Sequence, residues 1–416
     1  MKKNNILTYL FVCIIINIIP TAMLKVLEIP NKIYVIANAI CYALIILIML
    51  HAVRKEIKKV PNKKIILLIT FVLLQIIVQI VNYFCQGSIQ FLDIVNILSV
   101  TINIFIFIIC VSYSNVEKED IQEFMKKMVL LGLVACLYNI IINGMQMLNI
   151  AKLTNSYIAN FSSFFPNRNQ FGSFIVTILL ANLYIKQENK KNFYKLAEII
   201  FIINLVLTMS RTAIIGMIFM YIIKFCLDYF YIKKISKNRF IFITFMIMIL
   251  IVVMIFVFTS ERYIKLIDKL FIRSENIQTG YGRTTVWKNG IDMILNGNYL
   301  LGLGRFNAVN LNKTVYNSHL EYFHSIYIET FVTYGIVGII FLFLLFKYII
   351  KRISKSSLDR VYKNIFITYV GVFMIISIFE TTTRFSIGYA DIMNMIWFIT
   401  VPIIVSSKNS MYISKK

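Results

Sequence analysis

The sequence has few charged residues for its length. They make up 15% of the 416 positions, and only five prolines interrupt the apolar stretches. An average soluble domain is roughly 25% charged, whereas 59% of this chain is hydrophobic. A water-soluble core cannot absorb so much apolar surface. The composition therefore excludes an ordinary soluble enzyme and predicts that lipid surrounds most of the side chains.

Cysteine and histidine are also scarce. The six cysteines lie in or beside apolar stretches and form no CxxC pair, so the sequence supports neither a disulfide framework nor a zinc site. His319 and His324 are five residues apart, and a helical metal pair requires a spacing of i,i+4. We therefore predict no metal and no cofactor.

Acidic residues are few as well, and the formal net charge is +24. The basic residues form short clusters between apolar stretches instead of one folded face, which indicates topology signals and not a nucleic-acid partner. Apolar stretches near 20 residues recur along the chain, and each can cross a hydrocarbon layer of about 30 Å. We predict an all-α, polytopic membrane helix bundle of about twelve transmembrane helices. The predicted spans begin near Ile6, Ile33, Ile65, Ile94, Met128, Phe171, Leu196, Thr212, Phe240, Ile326, Asn364 and Ile392.

The positions of lysine and arginine predict the orientation of this bundle. If the N-terminus is cytoplasmic, the inner segments carry 28 of them and the outer segments 14. Eight of those 14 lie in the long loop, which the positive-inside rule largely exempts. By the positive-inside rule, we predict a multi-pass protein of the cell membrane with both termini cytoplasmic. Residues 1–416 then form a single membrane domain: spans 1 to 9 in 1–259, a long extracytoplasmic loop in 260–325, and spans 10 to 12 in 326–416.

Periodicity predicts two short helices in the long loop. Glu261 to Arg273 is amphipathic, which favours a helix lying on the membrane surface. A second helix is predicted from Thr284 or Thr285 to Asn296, with Gly297 as its stop. The predicted inward face of this second helix consists of Trp287, Ile291, Ile294 and Leu295.

Polar stretches gather at the outer boundary of the predicted membrane, where they mark the candidate site because polar groups in lipid are costly. The four stretches are Phe165–Gly172, Met209–Thr212, Gly282–Trp287 with Gly302–Arg305, and His319–Glu329. The first is equally consistent with a helix cap. Arg211 in the second fits either an anchor at the head groups or a phosphate contact. Glu380 and Arg384 are predicted to pair with each other near the interface.

The order of these motifs resembles that of the O-antigen polymerase and O-antigen ligase superfamily, which includes Wzy-type oligosaccharide repeat unit polymerases. The likeness extends from about Pro166 to Gly338, and Ser325 stands where the family often has asparagine. The residues that carry it are Asn167-Arg168-Asn169, Ser210-Arg211-Thr212, Gly282-Arg283 with Trp287, Gly302-Leu303-Gly304, and His324 before Gly335-Ile336-Val337-Gly338.

The resemblance implies a GT-C-like, membrane-embedded glycosyltransferase that uses a polyprenyl-diphosphate-linked oligosaccharide as donor without a metal. His324 is then the candidate general base. Arg211 and Arg283 are the candidate catalytic cations that stabilise the diphosphate leaving group. The candidate substrate-binding residues are Asn169, Arg305, Arg168, Trp287 and Glu329.

The predicted function is polymerisation of lipid-linked repeat units into a capsule or O-antigen at the outer face of the membrane. Two alternatives are transfer of a finished glycan to another acceptor, as in a ligase, and a lipid-linked oligosaccharide flippase. Lysine far outnumbers arginine, as is typical of AT-rich genomes of capsule-forming bacteria, which favours the polymerase. Transporters place polar groups near the bilayer midplane, which disfavours the flippase. The predicted partners are membrane lipid, the lipid-linked oligosaccharide, a chain-length regulator and a flippase, and no nucleic acid.

Overall fold

The described part of the chain is helical. The computed structural model describes residues 6–28, 30–53, 118–147, 161–189, 191–232, 283–318, 322–356 and 358–380, with scattered single positions between 66 and 93 and at 238 and 241. No strand occurs among these residues, so the all-α prediction is confirmed for them. The helices are α1 Ile6–Val26, α2 Asn31–Val53, α3 Lys118–Met147, α4 Arg168–Glu188, α5 Asn192–Leu207, α6 Arg211–Ile232, α7 Arg283–Leu295, α8 Arg305–Thr314, α9 Ile326–Lys355 and α10 Arg360–Phe379.

Six of these helices are long and apolar enough to cross a membrane, namely α1, α2, α3, α6, α9 and α10. The protein is therefore a multi-pass membrane protein. The predicted spans that begin near Ile94 and Ile392 and the predicted helix from Glu261 to Arg273 lie outside the described residues, and of those that begin near Ile65 and Phe240 only scattered positions are described. The count of about twelve stays a prediction.

Helix α4 forms the centre of the bundle. Every residue from Phe171 to Ile185 is buried, which is typical of a helix surrounded by other helices. It packs against α3, α5, α6 and α10. The N-terminus of α4 is thereby fixed in the middle of one end of the bundle. We call this end, which carries Asn169, Ser210, Arg283 and Glu380, the site end.

Helix α9 is sharply bent and not one straight rod. Its backbone leaves the helical region at Gly335, with φ 64° and ψ −160°. The rings of Tyr327 and Phe343 stack with centroids 6.4 Å apart, although these residues would lie about 24 Å apart along a straight helix. The arms 326–334 and 336–355 therefore fold towards each other, and the second arm alone is long enough to cross a bilayer. The span predicted to begin near Ile326 is among the six candidate spans, and it contains this break.

The segment 299–304 fills the break in α9. An interrupted membrane helix must find partners for its exposed backbone groups, and this segment supplies them. Its amides donate to two α9 carbonyls, and two α9 amides donate to its carbonyls. The four bonds are Leu303 N to Val332 O at 2.8 Å, Gly304 N to Thr333 O at 3.2 Å, Ile336 N to Tyr299 O at 3.0 Å and Val337 N to Leu300 O at 3.3 Å.

Two glycines permit this close approach. A Cβ atom at Gly302 would lie 2.4 Å from the Thr333 carbonyl oxygen, and one at Gly335 would lie 2.4 Å from the Leu300 carbonyl oxygen. Both residues have positive φ, which glycine adopts without steric cost. The loop and the membrane helix are therefore joined as one unit.

Helices α7 and α8 form a small core of their own with the first arm of α9. Its buried members are Val286, Met293, Ile294, Leu303, Ala308, Phe323 and Val332. The predicted loop helix is confirmed at Arg283–Leu295, but only part of its predicted inward face is buried. Ile294 is buried, whereas Ile291 is 41% exposed and Leu295 is 66% exposed. The core is made by residues on a face rotated from the predicted one, since Val286 and Met293 face inward.

The opposite end of the bundle carries structural ion pairs. Glu198 binds Lys186 and accepts a hydrogen bond of 2.7 Å from the Tyr221 hydroxyl. Asp228 binds Lys224 and accepts one of 3.0 Å from Asn364. These contacts tie the polar ends of α4, α5, α6 and α10 together, away from the site end.

Candidate active site

Glu380 joins three elements at the site end. Its Oε1 accepts a hydrogen bond from Asn169 Nδ2 at 2.8 Å and another from Arg283 Nη2 at 2.8 Å. The Oδ1 of Asn169 in turn accepts from Ser210 Oγ at 3.0 Å. The carboxylate is only 11% exposed, and the Arg283 side chain is 24% exposed. The starts of α4 and α7, the turn before α6 and the end of α10 are thus held together by one polar network.

Each helix that begins at this network begins with an arginine. Arg168 is the first residue of α4, Arg211 of α6 and Arg283 of α7, and no acidic residue lies in the first turn of any of them. The N-terminus of a helix carries a partial positive charge, which disfavours a cation there. Three such starts in one place outnumber the single carboxylate of Glu380, which makes the cluster suited to an anion.

Local sequence explains two of these helix starts. Asn167 caps α4, because its side chain accepts from the Gln170 amide at 2.9 Å. The cap interpretation of this stretch is therefore confirmed for Asn167, while the neighbouring Asn169 belongs to the polar network. Before α6, Met209 has φ 52° and Ser210 is buried, so the chain turns sharply between α5 and Arg211.

Trp287 links Arg283 to the turn that carries His324. Its Nε1 donates to the Phe323 carbonyl at 2.7 Å, and its ring centroid lies 6.2 Å from that of Phe379. Phe379 also accepts from Arg283 Nη1, at 2.8 Å. His324 is half-buried and has a left-handed backbone with φ 49°. A strained backbone fixed by its neighbours is typical of functional positions.

Glu329 also binds the backbone of the turn that carries His324. Its Oε2 accepts from the Phe323 amide at 3.2 Å, and its Oε1 lies 3.6 Å from Arg305 Nε. The Arg305 side chain is 5% exposed, and its Cζ lies 5.6 Å from the ring centroid of Tyr322. The histidine turn therefore lies between a tryptophan and a buried ion pair.

Helix α8, which begins at Arg305, was not predicted from the sequence, and neither was its capping residue. Asp93 accepts from the Phe306 amide at 2.8 Å and from the Asn307 amide at 3.2 Å. Burial raises the pKa of Asp93 to about 6, against the opposing effect of the amides and of Arg305. The signal in the sequence was a carboxylate directly before the predicted span at Ile94, where an acidic side chain has to find a partner.

The predicted site residues lie close together in the structure. Asn169, Arg283, Trp287, Arg305 and Glu329 are connected by the contacts above. The other three directly adjoin a connected residue: Arg168 precedes Asn169, Arg211 follows Ser210 and His324 follows Phe323.

The contact between Arg283 and Glu380 was missed from the sequence. The predicted pairing of Glu380 with Arg384 lies outside the described residues and stays a prediction, and the structure shows that Glu380 pairs with Arg283. Within the described part of the chain, no group of three or more His, Cys, Asp or Glu side chains could hold a metal ion. The described cluster combines arginines at helix starts with a histidine, an arrangement suited to an anion.

The fold and the site define a multi-pass membrane protein with a cluster of arginines, polar side chains and a histidine at one end of its helices. Residues 196–343 match the family model described as O-antigen ligase. The match runs from α5 into α9 and includes Arg211, Arg283 and His324. It confirms the resemblance to the O-antigen polymerase and ligase superfamily, whose members are enzymes that act on glycans. No curated protein matches the chain.

Proposed function

We propose that the protein polymerises polyprenyl-diphosphate-linked oligosaccharide repeat units into a surface polysaccharide. The single observation that carries this proposal is the meeting of three arginine-led helix starts, at Arg168, Arg211 and Arg283, through the network of Asn169, Ser210 and Glu380. A diphosphate is the group in the donor that such a surface recognises.

The arginines act on the leaving group. When the acceptor hydroxyl attacks the glycosidic carbon, the bond from that carbon to the diphosphate oxygen breaks and negative charge grows on the diphosphate. Arg211 and Arg283 stabilise this charge, in a partly buried site where electrostatic interactions are stronger than in water. Arg168, Arg305 and Asn169 contact phosphate or sugar oxygens.

His324 removes the proton of the attacking hydroxyl. A sugar hydroxyl is a poor nucleophile, and a general base contributes roughly 10²- to 10⁴-fold. The neighbouring residues support this role, because Trp287 and Glu329 fix the backbone immediately before the histidine. Neutral imidazole accepts the proton, and the diphosphate leaves on the lipid carrier.

The proposal includes the position of the protein in the membrane. With both termini cytoplasmic and about twelve spans, the site end is extracytoplasmic, where lipid-linked units are delivered by a flippase and a chain-length regulator can act. A bundle of this kind with its site at the outer boundary is compatible with a GT-C-like glycosyltransferase.

A second candidate function is transfer of a finished glycan to another acceptor. The description of the matched family, O-antigen ligase, favours it. Both reactions use the same donor chemistry and the same leaving group, so the cluster of arginines fits either. They differ in the acceptor, which is another lipid-linked glycan for the polymerase.

The glycan-length profile of cells that lack this protein tests the proposal. Complementation with wild type should restore a ladder of repeat lengths, while His324→Ala at matched protein level leaves single repeats on the lipid carrier. If ladders persist on the lipid carrier without the protein, the ligase function replaces the polymerase. Equal restoration by both variants contradicts the role of His324.

A further inference from the structure

A buried aspartate from a distant part of the chain holds the helix that carries Arg305. Asp93 is 1% exposed, and its two carboxylate oxygens accept the amides of Phe306 and Asn307. These amides belong to the first turn of α8, where N–H groups lack partners within the helix. We propose that Asp93 is a positioning residue of the active site, which fixes α8 and through it the turn that carries His324. This inference rests on the proposed function.

The connection from Asp93 to the histidine runs through a few contacts. Because α8 begins at Arg305, fixing its first turn also fixes the base of that side chain. Arg305 lies 3.6 Å from Glu329, and the other oxygen of Glu329 accepts the Phe323 amide. Phe323 directly precedes His324. A displacement of α8 therefore reaches the backbone of the histidine through one ion pair and one hydrogen bond.

Asp93 caps α8 with a charged side chain that is costly to bury. A buried carboxylate loses its hydration, and burial accordingly raises the pKa of Asp93 to about 6. An ionised carboxylate is, however, an acceptor at both oxygens, whereas an asparagine side chain would turn an N–H donor towards one of the two amides. A residue that is unfavourable for stability but fits its site well is typical of functional positions.

The variant Asp93→Asn separates positioning from folding. Its rate should be measured with full-length protein in lipid nanodiscs, using lipid-linked repeat units extracted from cells that lack the protein. We expect the rate of chain growth to fall by about tenfold, since small misplacements in a site cost this much or more. The melting temperature at neutral pH should change little, because the relief of a buried charge and the donor turned towards an amide act in opposite directions. An unchanged rate, or a parallel fall of rate and melting temperature, would overturn the positioning role.

A double-mutant cycle with Glu329→Gln tests whether Asp93 acts on the His324 turn through Glu329. If both residues act through the same connection, the double variant should be about as slow as the slower single variant. If the two losses multiply, Asp93 does not act through Glu329 and the route is wrong.

Asp228→Asn is the matched control, because it removes the charge of another poorly exposed aspartate, at the opposite end of the bundle. It should lower the melting temperature without lowering the rate per folded molecule. An equal loss of rate in this control would show that the effect of Asp93→Asn is not specific to the site. Absence of chain growth with wild type contradicts the proposed function itself, whereas growth with wild type and equally with Asp93→Asn contradicts only the positioning role.

Discussion

Arg283→Lys is the most direct test of how the leaving group is stabilised. The guanidinium donates through Nη1 to the Phe379 carbonyl and through Nη2 to Glu380, both at 2.8 Å. A guanidinium has five donors in a rigid fork, and these two bonds orient that fork. Lysine keeps the charge but has one nitrogen with three donors, so it cannot hold both acceptors and also present a two-pronged surface to a phosphate.

The expected loss of rate follows from the position of Arg283 beside the negative charge that is proposed to develop on the leaving group. Loss of one preorganised donor at a growing negative charge costs about 10²-fold or more in rate, and we expect a loss of about 10²-fold for Arg283→Lys, which equals about 2.7 kcal/mol. The effect on stability should be smaller. Because the Arg283 side chain is 24% exposed, loss of one of its hydrogen bonds should lower the free energy of unfolding by about 1 kcal/mol or less.

The assay is chain growth in isolated membranes at matched protein level, with extracted lipid-linked repeat units as the substrate. Arg360→Lys is the control, because Arg360 is also the first residue of a helix but lies at the opposite end, with its Cζ 4.0 Å from the ring centroid of Tyr231. It should leave the rate within about twofold of wild type. A rate for Arg283→Lys within about threefold of wild type would refute the role of the guanidinium fork.

Three further outcomes follow from the structure. Glu380→Gln removes the charge that orients both Asn169 and Arg283, and should slow chain growth by about tenfold in the same assay; an unchanged rate contradicts the network. Gly335→Ala should lower the free energy of unfolding by about 2 kcal/mol or more, because a side chain is strained at φ 64°. Its control is Gly371→Ala, whose added Cβ would meet only a flexible side chain, at 3.0 Å; equal melting temperatures would contradict the tight junction at Gly335. The raised pKa of Asp93, about 6, lies above its value of about 3.9 in an unfolded chain, so the native state binds the proton more tightly. Wild type should therefore lose stability as the pH rises from about 4 to 6, and thermal melting of Asp93→Asn over the same range should show a smaller loss.

The helices could be predicted from the sequence because their signals are local. A long apolar run predicts a helix in lipid wherever it occurs, and α1, α2 and α6 begin within two residues of the predicted starts. Asn167 likewise caps the helix that directly follows it. The placement of Arg211 between two helices follows from a polar interruption between apolar runs.

The contacts that assemble the site could not be predicted, because they join residues that are far apart in sequence. Arg283 and Glu380 are 97 positions apart, whereas the predicted partner of Glu380 was its near neighbour Arg384. The break at Gly335 is also invisible locally, since the surrounding residues are apolar and favour an unbroken span. It requires the segment 299–304, whose backbone occupies the break.

The charge balance of the described side chains supports an anionic ligand. Four arginines begin helices at the site end: Arg168, Arg211, Arg283 and Arg305. Three carboxylates accompany them among the described residues, with Glu380 beside Arg283, Glu329 beside Arg305 and Asp93 on the amides of α8. The helix N-termini add partial positive charge to this excess. The described cluster therefore keeps an excess of positive charge, which is compatible with the diphosphate that we propose as the leaving group.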